Sequence, residues 1–168
     1  MPKCIFATDL HGNIERYNKL LKIAAEERPE ALFLGGDLLP SGLMSLTSLE
    51  SAQEGFVENF LLPEFNKLSD KMGKHYPRVF IIMGNDDGRY DEATFIAASN
   101  SGLWEYIHNR KAPFGKYSVY GYAYVPPTPF LLKDWERYDL SRFVDPGSVS
   151  PEEGWHSIPI SNYDRKYA

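Results

Sequence analysis

Three short apolar runs recur along the first half of the chain, and each is closed by a polar loop. Cys4-Ile5-Phe6-Ala7-Thr8 ends at Asp9, Ala31-Leu32-Phe33-Leu34 at Gly35-Gly36-Asp37, and Val79-Phe80-Ile81-Ile82-Met83 at Gly84-Asn85-Asp86-Asp87-Gly88. Runs this short and this uninterrupted predict strands buried on both faces. Between the first two, Ile14, Tyr17, Leu21 and Ala24 recur at spacings of three and four, with Leu20 beside them. That period predicts an amphipathic helix over 14–28, stopped by Pro29. The stretch 42–72 is mostly helical in pattern, and Pro63 is expected to separate two helices, since proline inside a helix costs about 3 kcal/mol.

Strand, helix, strand, helix, strand is the signature of a parallel sheet with right-handed crossovers and helices on its faces. All three polar loops then emerge at the carboxyl edge of one sheet, so residues far apart in sequence converge. Further on, 91–100 predicts another helix, and 104–108 and 117–122 predict strands that extend the sheet. Beyond Val125 the pattern changes. Pro126-Pro127-Thr128-Pro129 opens a segment rich in proline, charge and aromatics, without sustained periodicity to Ala168. No internal repeat is present. The expected organisation is one α/β domain over 1–168, with a core at 1–125 and an irregular tail at 126–168.

Composition narrows the functional classes. A chain of 168 residues with 43% hydrophobic and 24% charged positions is suited to a single packed core. The formal charge of -5 argues against a broad basic footprint for nucleic acid. No apolar run approaches the roughly 20 residues that span a bilayer, and no signal peptide is evident, so neither a membrane nor a secreted location is expected. The single cysteine, Cys4, reads as a small buried hydrophobe and favours a reducing, cytoplasmic setting.

The chemistry lies in the loops. Asp9-Leu10-His11 puts a carboxylate and an imidazole two apart as the chain leaves a strand, a spacing that in extended chain points both to one side. Taken alone, Asp9 or Asn13 as a helix cap beside a surface histidine explains it equally well. Gly36-Asp37 alone is an ordinary turn, and so is Gly84-Asn85-Asp86-Asp87. Together, the three loops place oxygen and imidazole donors at successive strand ends that the topology gathers.

In these motifs the sequence resembles the calcineurin-like metallophosphoesterases, whose opening motifs run Asp-x-His, Gly-Asp and Gly-Asn-His/Cys-Asp in that order. The match covers residues 3–90. The resemblance implies a sheet-and-helix sandwich, incomplete here at its C-terminal side, and a two-metal site. In that site Asp9 and His11 bind one cation, Asp37 bridges both, and Asn85 offers its side-chain oxygen to the second. Asn85 and Asp86 are the candidates for direct work on the phosphate-ester substrate. Two divalent cations about 3.5–4 Å apart activate water and clamp phosphoryl oxygens. The mixed oxygen and nitrogen donors suit manganese, iron, zinc or nickel.

The sequence departs from the family in two respects. Asp86 stands where many members carry a histidine able to protonate the leaving group. The later Gly-His-x-His run that completes both metal sites is missing. Of the other histidines, His75 precedes the third strand at the edge opposite the loops, and His108 leads into the basic Asn109-Arg110-Lys111. His156 lies in the irregular tail. The tail itself, Val125-Pro126-Pro127-Thr128-Pro129-Phe130 with Lys133-Asp134-Trp135-Glu136, resembles a prokaryotic subgroup whose chains run on further. The bland alternative for that tail is a loop that packs its aromatics on the core.

The expected function is metal-dependent phosphoesterase activity, weakened by the missing histidines. The competing expectation is a non-catalytic domain of this fold that binds a protein. A nucleotide-binding α/β domain is disfavoured, because no G-x-x-x-x-G-K-[ST] or G-x-G-x-x-G loop occurs.

Overall fold

The computed structural model describes residues 1–41, 55–139, 141 and 143–167. Four strands, β1 (Cys4–Ala7), β2 (Ala31–Gly35), β3 (Arg78–Ile82) and β4 (Glu105–Tyr106), form one sheet in the order β1-β2-β3-β4. Every pairing is parallel, with Phe6 opposite Phe33, Phe33 opposite Phe80, and Phe80 opposite Glu105. This is the α/β class with a parallel sheet that the order of apolar runs predicts. The first two strand ends and the loop after β3 therefore meet at one edge.

Helix α1 (Ile14–Glu27) starts where the Asn13 side chain accepts from the Arg16 amide, 3.0 Å away. It stops at Arg28, whose φ of 45° takes the left-handed cap conformation, one residue before Pro29 forbids further helix. Its buried stripe is Tyr17, Leu20, Leu21 and Ala24. Ile14, expected on that stripe, is exposed, because it sits on the first turn beyond the sheet edge. Helix α2 (Leu62–Met72) is preceded directly by a π-helical turn, Val57–Leu61. Pro63 thus changes the winding rather than parting two helices. It lies at the start of α2, just after the wider winding, and the Leu62 amide bonds back to Val57 O. The part of the expected helical stretch at 42–54 lies outside the described residues.

Leu32, Leu34, Val79 and Ile81 face α1 and α2, and pack with Tyr17, Phe65 and Leu68 into the main core. Helix α3 (Glu92–Asn100) adds Phe95, whose ring lies 5.4 Å from that of Trp104. On the other face, Ala31 and Phe80 pack with Ile107, Ala112 and Phe114. Phe33 stacks on Phe80 at 5.2 Å, and the Phe114 ring meets both edge-on.

That second layer is an antiparallel hairpin, β5 (Arg110–Phe114) with β6 (Tyr117–Gly121), closed by Gly115-Lys116. Of the two segments expected to extend the main sheet, 104–108 does so through β4, and 117–122 forms a separate sheet. Its partner β5 escapes a pattern reading because Arg110, Lys111 and Pro113 interrupt the apolar alternation. The hairpin covers the sheet over β2 and β3 and does not pack on β1. Among the described residues no layer covers that face of β1: Cys4 is exposed and Phe6 is 68% exposed. The expectation that β1 is buried on both faces, and Cys4 with it, is therefore corrected. A strand needs a layer on each side to be buried, and β1 has α1 on one side only.

In the tail, the chain is held by long-range bonds rather than by periodic structure, apart from a short helix α4 (Asn162–Tyr167) that the pattern did not signal. His108 proves to be a core residue. Its Nδ1 accepts from the Ala123 amide at 3.0 Å, and its ring is surrounded by Tyr124 at 5.0 Å and Trp135 at 5.1 Å.

Two expectations follow for stability. Phe65 has no solvent exposure and sits edge-on to Trp104, so Phe65→Ala should cost about 3–5 kcal/mol in urea unfolding. Burial holds His108 well below the ordinary histidine value of 6.5, at about 4, so the folded chain refuses a proton that the unfolded chain accepts. The His108 contribution should be intact above about pH 6.5 and be lost progressively as pH falls towards 4. His108→Gln, compared with the parent across that window, should shallow the acid slope of stability.

Candidate metal centre

The site is assembled by backbone contact among the three loops. The Asp9 amide donates to Gly36 O at 3.2 Å, the His11 amide to Asp37 O at 2.9 Å and the Gly12 amide to Leu38 O at 2.9 Å, so the first two loops run as a short ladder. The third loop packs directly on the second. A Cβ on Gly36 would lie 2.8 Å from Gly84 Cα, and one on Gly84 would lie 2.2 Å from Asp37 Oδ1. Only glycine at both positions lets the two chains come so close.

Asp9, His11 and Asp37 all hold left-handed backbone, at φ 56°, 46° and 52°. Each such non-glycine residue costs about 1–3 kcal/mol and persists only where the surroundings fix it. Here the fixing groups are visible. The ladder holds the amides, Arg16 Nη1 donates to Asp9 O at 2.8 Å, and the Tyr17 hydroxyl from α1 donates to Leu38 O at 2.9 Å.

The result is a cluster in which one donor atom each from Asp9, His11 and Asp37 lies within 4.8 Å of the others. His11 Nε2 is 3.8 Å from Asp9 Oδ1, and His11 Nδ1 is 3.3 Å from Asp86 Oδ2. The Asp86 amide donates to Asp37 Oδ1 at 3.0 Å, while its carboxylate accepts from the Ser41 hydroxyl at 2.8 Å. Partial burial pushes the Asp37 carboxyl above its ordinary range, and the charges of Asp9 and Asp86 push the same way. Three carboxylates around one imidazole form a negative pocket whose natural complement is a cation. Two carboxylates and an imidazole, left partly open to solvent, fit a divalent cation that keeps positions for water.

Asn85 is half-buried in the turn after β3, between Gly84 and Asp86. His75 lies in the turn before β3, His108 is the core histidine described above, and His156 lies 3.7 Å from Asp134 in the tail. None of these three joins the Asp9 cluster among the described residues.

Two residues passed over in the sequence hold the site together. Asp87 is completely buried, and its carboxylate accepts from the amides of Leu38 at 2.9 Å, Leu39 at 2.7 Å and Gly84 at 2.7 Å. It pins the Asp37 loop to the Asn85 loop, and burial raises its own pKa to about 7. Trp135, also fully buried, donates from Nε1 to Asp87 O at 2.9 Å. The signal for Asp87 was its place at the end of a glycine-bearing strand loop. Nothing in the local pattern marks Trp135.

No curated protein matches the chain. A solved crystal structure aligns at 18% identity and a TM-score of 0.46, over 73% of this chain and 53% of that one. The chain thus spans about half the length of that solved protein. Among the described residues, no helix is long and apolar enough to cross a membrane. The model of the calcineurin-like phosphoesterases matches residues 2–166, nearly the whole chain and every loop of the cluster, and the chain belongs to that family.

Proposed function

We propose that the chain is a metal-dependent phosphoesterase that hydrolyses a phosphomonoester or phosphodiester. The observation that carries this reading is the convergence of Asp9, His11 and Asp37 within 4.8 Å at the carboxyl edge of the sheet. Divalent cations at such a site neutralise phosphoryl oxygens and make water more acidic. Manganese, iron, zinc and nickel all suit these donors.

The chain's own residues would divide the work. Asp9 and His11 would hold the first cation, Asp37 would serve both, and Asn85 would offer its amide oxygen to the second. The Asp86 amide fixes the Asp37 carboxylate by its bond to Oδ1. Asn85 and Asp86 are the residues assigned to the reacting phosphoryl group. Asn85 would orient an oxygen through its amide. Asp86, whose Oδ2 lies next to His11 Nδ1, would orient the imidazole beside that group. The single thiol, Cys4, suits a reducing compartment, and we place the protein in the cytoplasm.

A second reading, a non-catalytic domain that binds a protein partner, draws on the open face of β1, where Phe6 is 68% exposed. Metal-dependent turnover separates the two.

Elemental analysis after manganese loading should find about one ion per chain, because Asp37 and a neutral amide are weak company for a second. Turnover of a bis-aryl phosphate should be slow for the same reason. Two tightly held ions per chain with brisk turnover would show that a tail residue completes the site. Asp37→Asn should abolish manganese binding in calorimetry, and an affinity equal to that of the parent would refute the bridging role. His156→Ala should leave manganese affinity unchanged.

A further inference from the structure

Among the described residues the tail adds none to the Asp9 cluster, yet it holds the Asn85 loop at two points on either side of Gly88. Trp135 Nε1 donates to Asp87 O at 2.9 Å, and the Asp134 carboxylate accepts from the Arg89 amide at 2.7 Å. Both tail residues are themselves fixed. The Trp135 indole lies against Tyr124 and under the Arg89 guanidinium, which is 5.0 Å from its ring. Asp134 also accepts from the Ser157 amide at 2.8 Å and from the Ser157 hydroxyl. Behind them Lys133 and Glu136, whose side chains have no solvent exposure, form an ion pair. Thr128 completes it: its carbonyl accepts from Lys133 Nζ at 2.8 Å, and its amide donates to Glu136 at 2.8 Å. No buried side-chain nitrogen or oxygen of this knot lacks a partner, and a fully satisfied polar network rigidifies the segment that carries it.

The Asp87 carboxylate is where that arrangement reaches the site. It can accept from Leu38, Leu39 and Gly84 together only if its own backbone stays in place; its amide donates to Gly84 O at 3.1 Å within the same loop, and Trp135 is the side chain that holds its carbonyl from outside the loop. We infer that Trp135 is a positioning residue for the metal centre, acting through Asp87, and that the segment 128–137 is part of the working site rather than a peripheral cover. The inference rests on the phosphoesterase reading for its purpose but not for its test.

The variant Trp135→Phe keeps an aromatic ring in the buried slot and removes only the N–H. Hydrogen exchange followed by NMR on the metal-free protein should show the Leu38, Leu39 and Gly84 amides exchanging about tenfold faster or more, while amides within β2 and β3 keep their rates. In the same variant, manganese affinity measured by the free-ion electron paramagnetic resonance signal should fall about three- to tenfold, less than the 10- to 100-fold typical of a direct outer-shell partner. Trp155→Phe, at a half-exposed indole elsewhere in the tail, should change neither. Unchanged exchange at the three amides, or exchange that accelerates equally through the strands, would overturn the inference, because Trp135 would then act on packing alone. A parent protein that binds no manganese would defeat the functional reading instead, and the exchange measurement would still decide the role of Trp135.

Discussion

The buried carboxylate of Asp87 is the constraint on which the metal edge depends. Three backbone amides from two loops point at one side chain that has no access to water. Each amide would otherwise be an unsatisfied donor, costing about 1–3 kcal/mol. One group therefore settles three local problems and also sets the distance between the Asp37 and Asn85 loops. Complete burial raises its pKa to about 7, against the pull of those same three donors. The molecule keeps an uncomfortable carboxyl there because no neutral side chain of that size accepts so many bonds from converging backbones.

Strain at the three clustered residues follows from the same convergence. Asp9, His11 and Asp37 hold positive φ, and in each case the neighbouring carbonyl or amide is engaged across the loop ladder. Left-handed backbone turns the chain sharply at the strand end, so that carboxylate and imidazole rise over the sheet edge and do not continue along the strand. Asp and His tolerate that conformation better than most side chains. The residue types that suit a cation are thus also types that suit the turn.

Much of this was legible in the sequence, for a physical reason. Parallel strands buried between layers have no choice but to be short and apolar, and their loops no choice but to gather at one edge. The gathering of Asp9, His11 and Asp37 at one edge is what that topology leads one to expect. Cys4 and Phe6 were misjudged because the apolar character of β1 reveals nothing about which faces find a covering layer. The hairpin was misread because β5 carries two basic residues and a proline. Its stability comes from Ala112 and Phe114 against Phe80, a contact between residues distant in sequence. The tail was least legible of all, since its order lies in bonds between side chains and backbone that have no period.

The Lys133–Glu136 pair shows what that aperiodic order accomplishes. Two charges taken fully out of water lose hydration worth several kcal/mol each, and their mutual attraction seldom returns a net gain over an apolar pair of similar volume. Stability alone therefore does not explain them. What an ion pair has, and an apolar pair lacks, is direction. Glu136 must meet Thr128 and Lys133 at once, and any other path of the chain leaves a buried charge alone. The penalty for misplacement is what selects one conformer from the many open to a proline-rich loop. Asp134 and Trp135, lying between the two charged residues, inherit that single conformer and present it to Arg89 and Asp87. The tail's buried charges thus specify geometry at this edge of the sheet through two intervening residues.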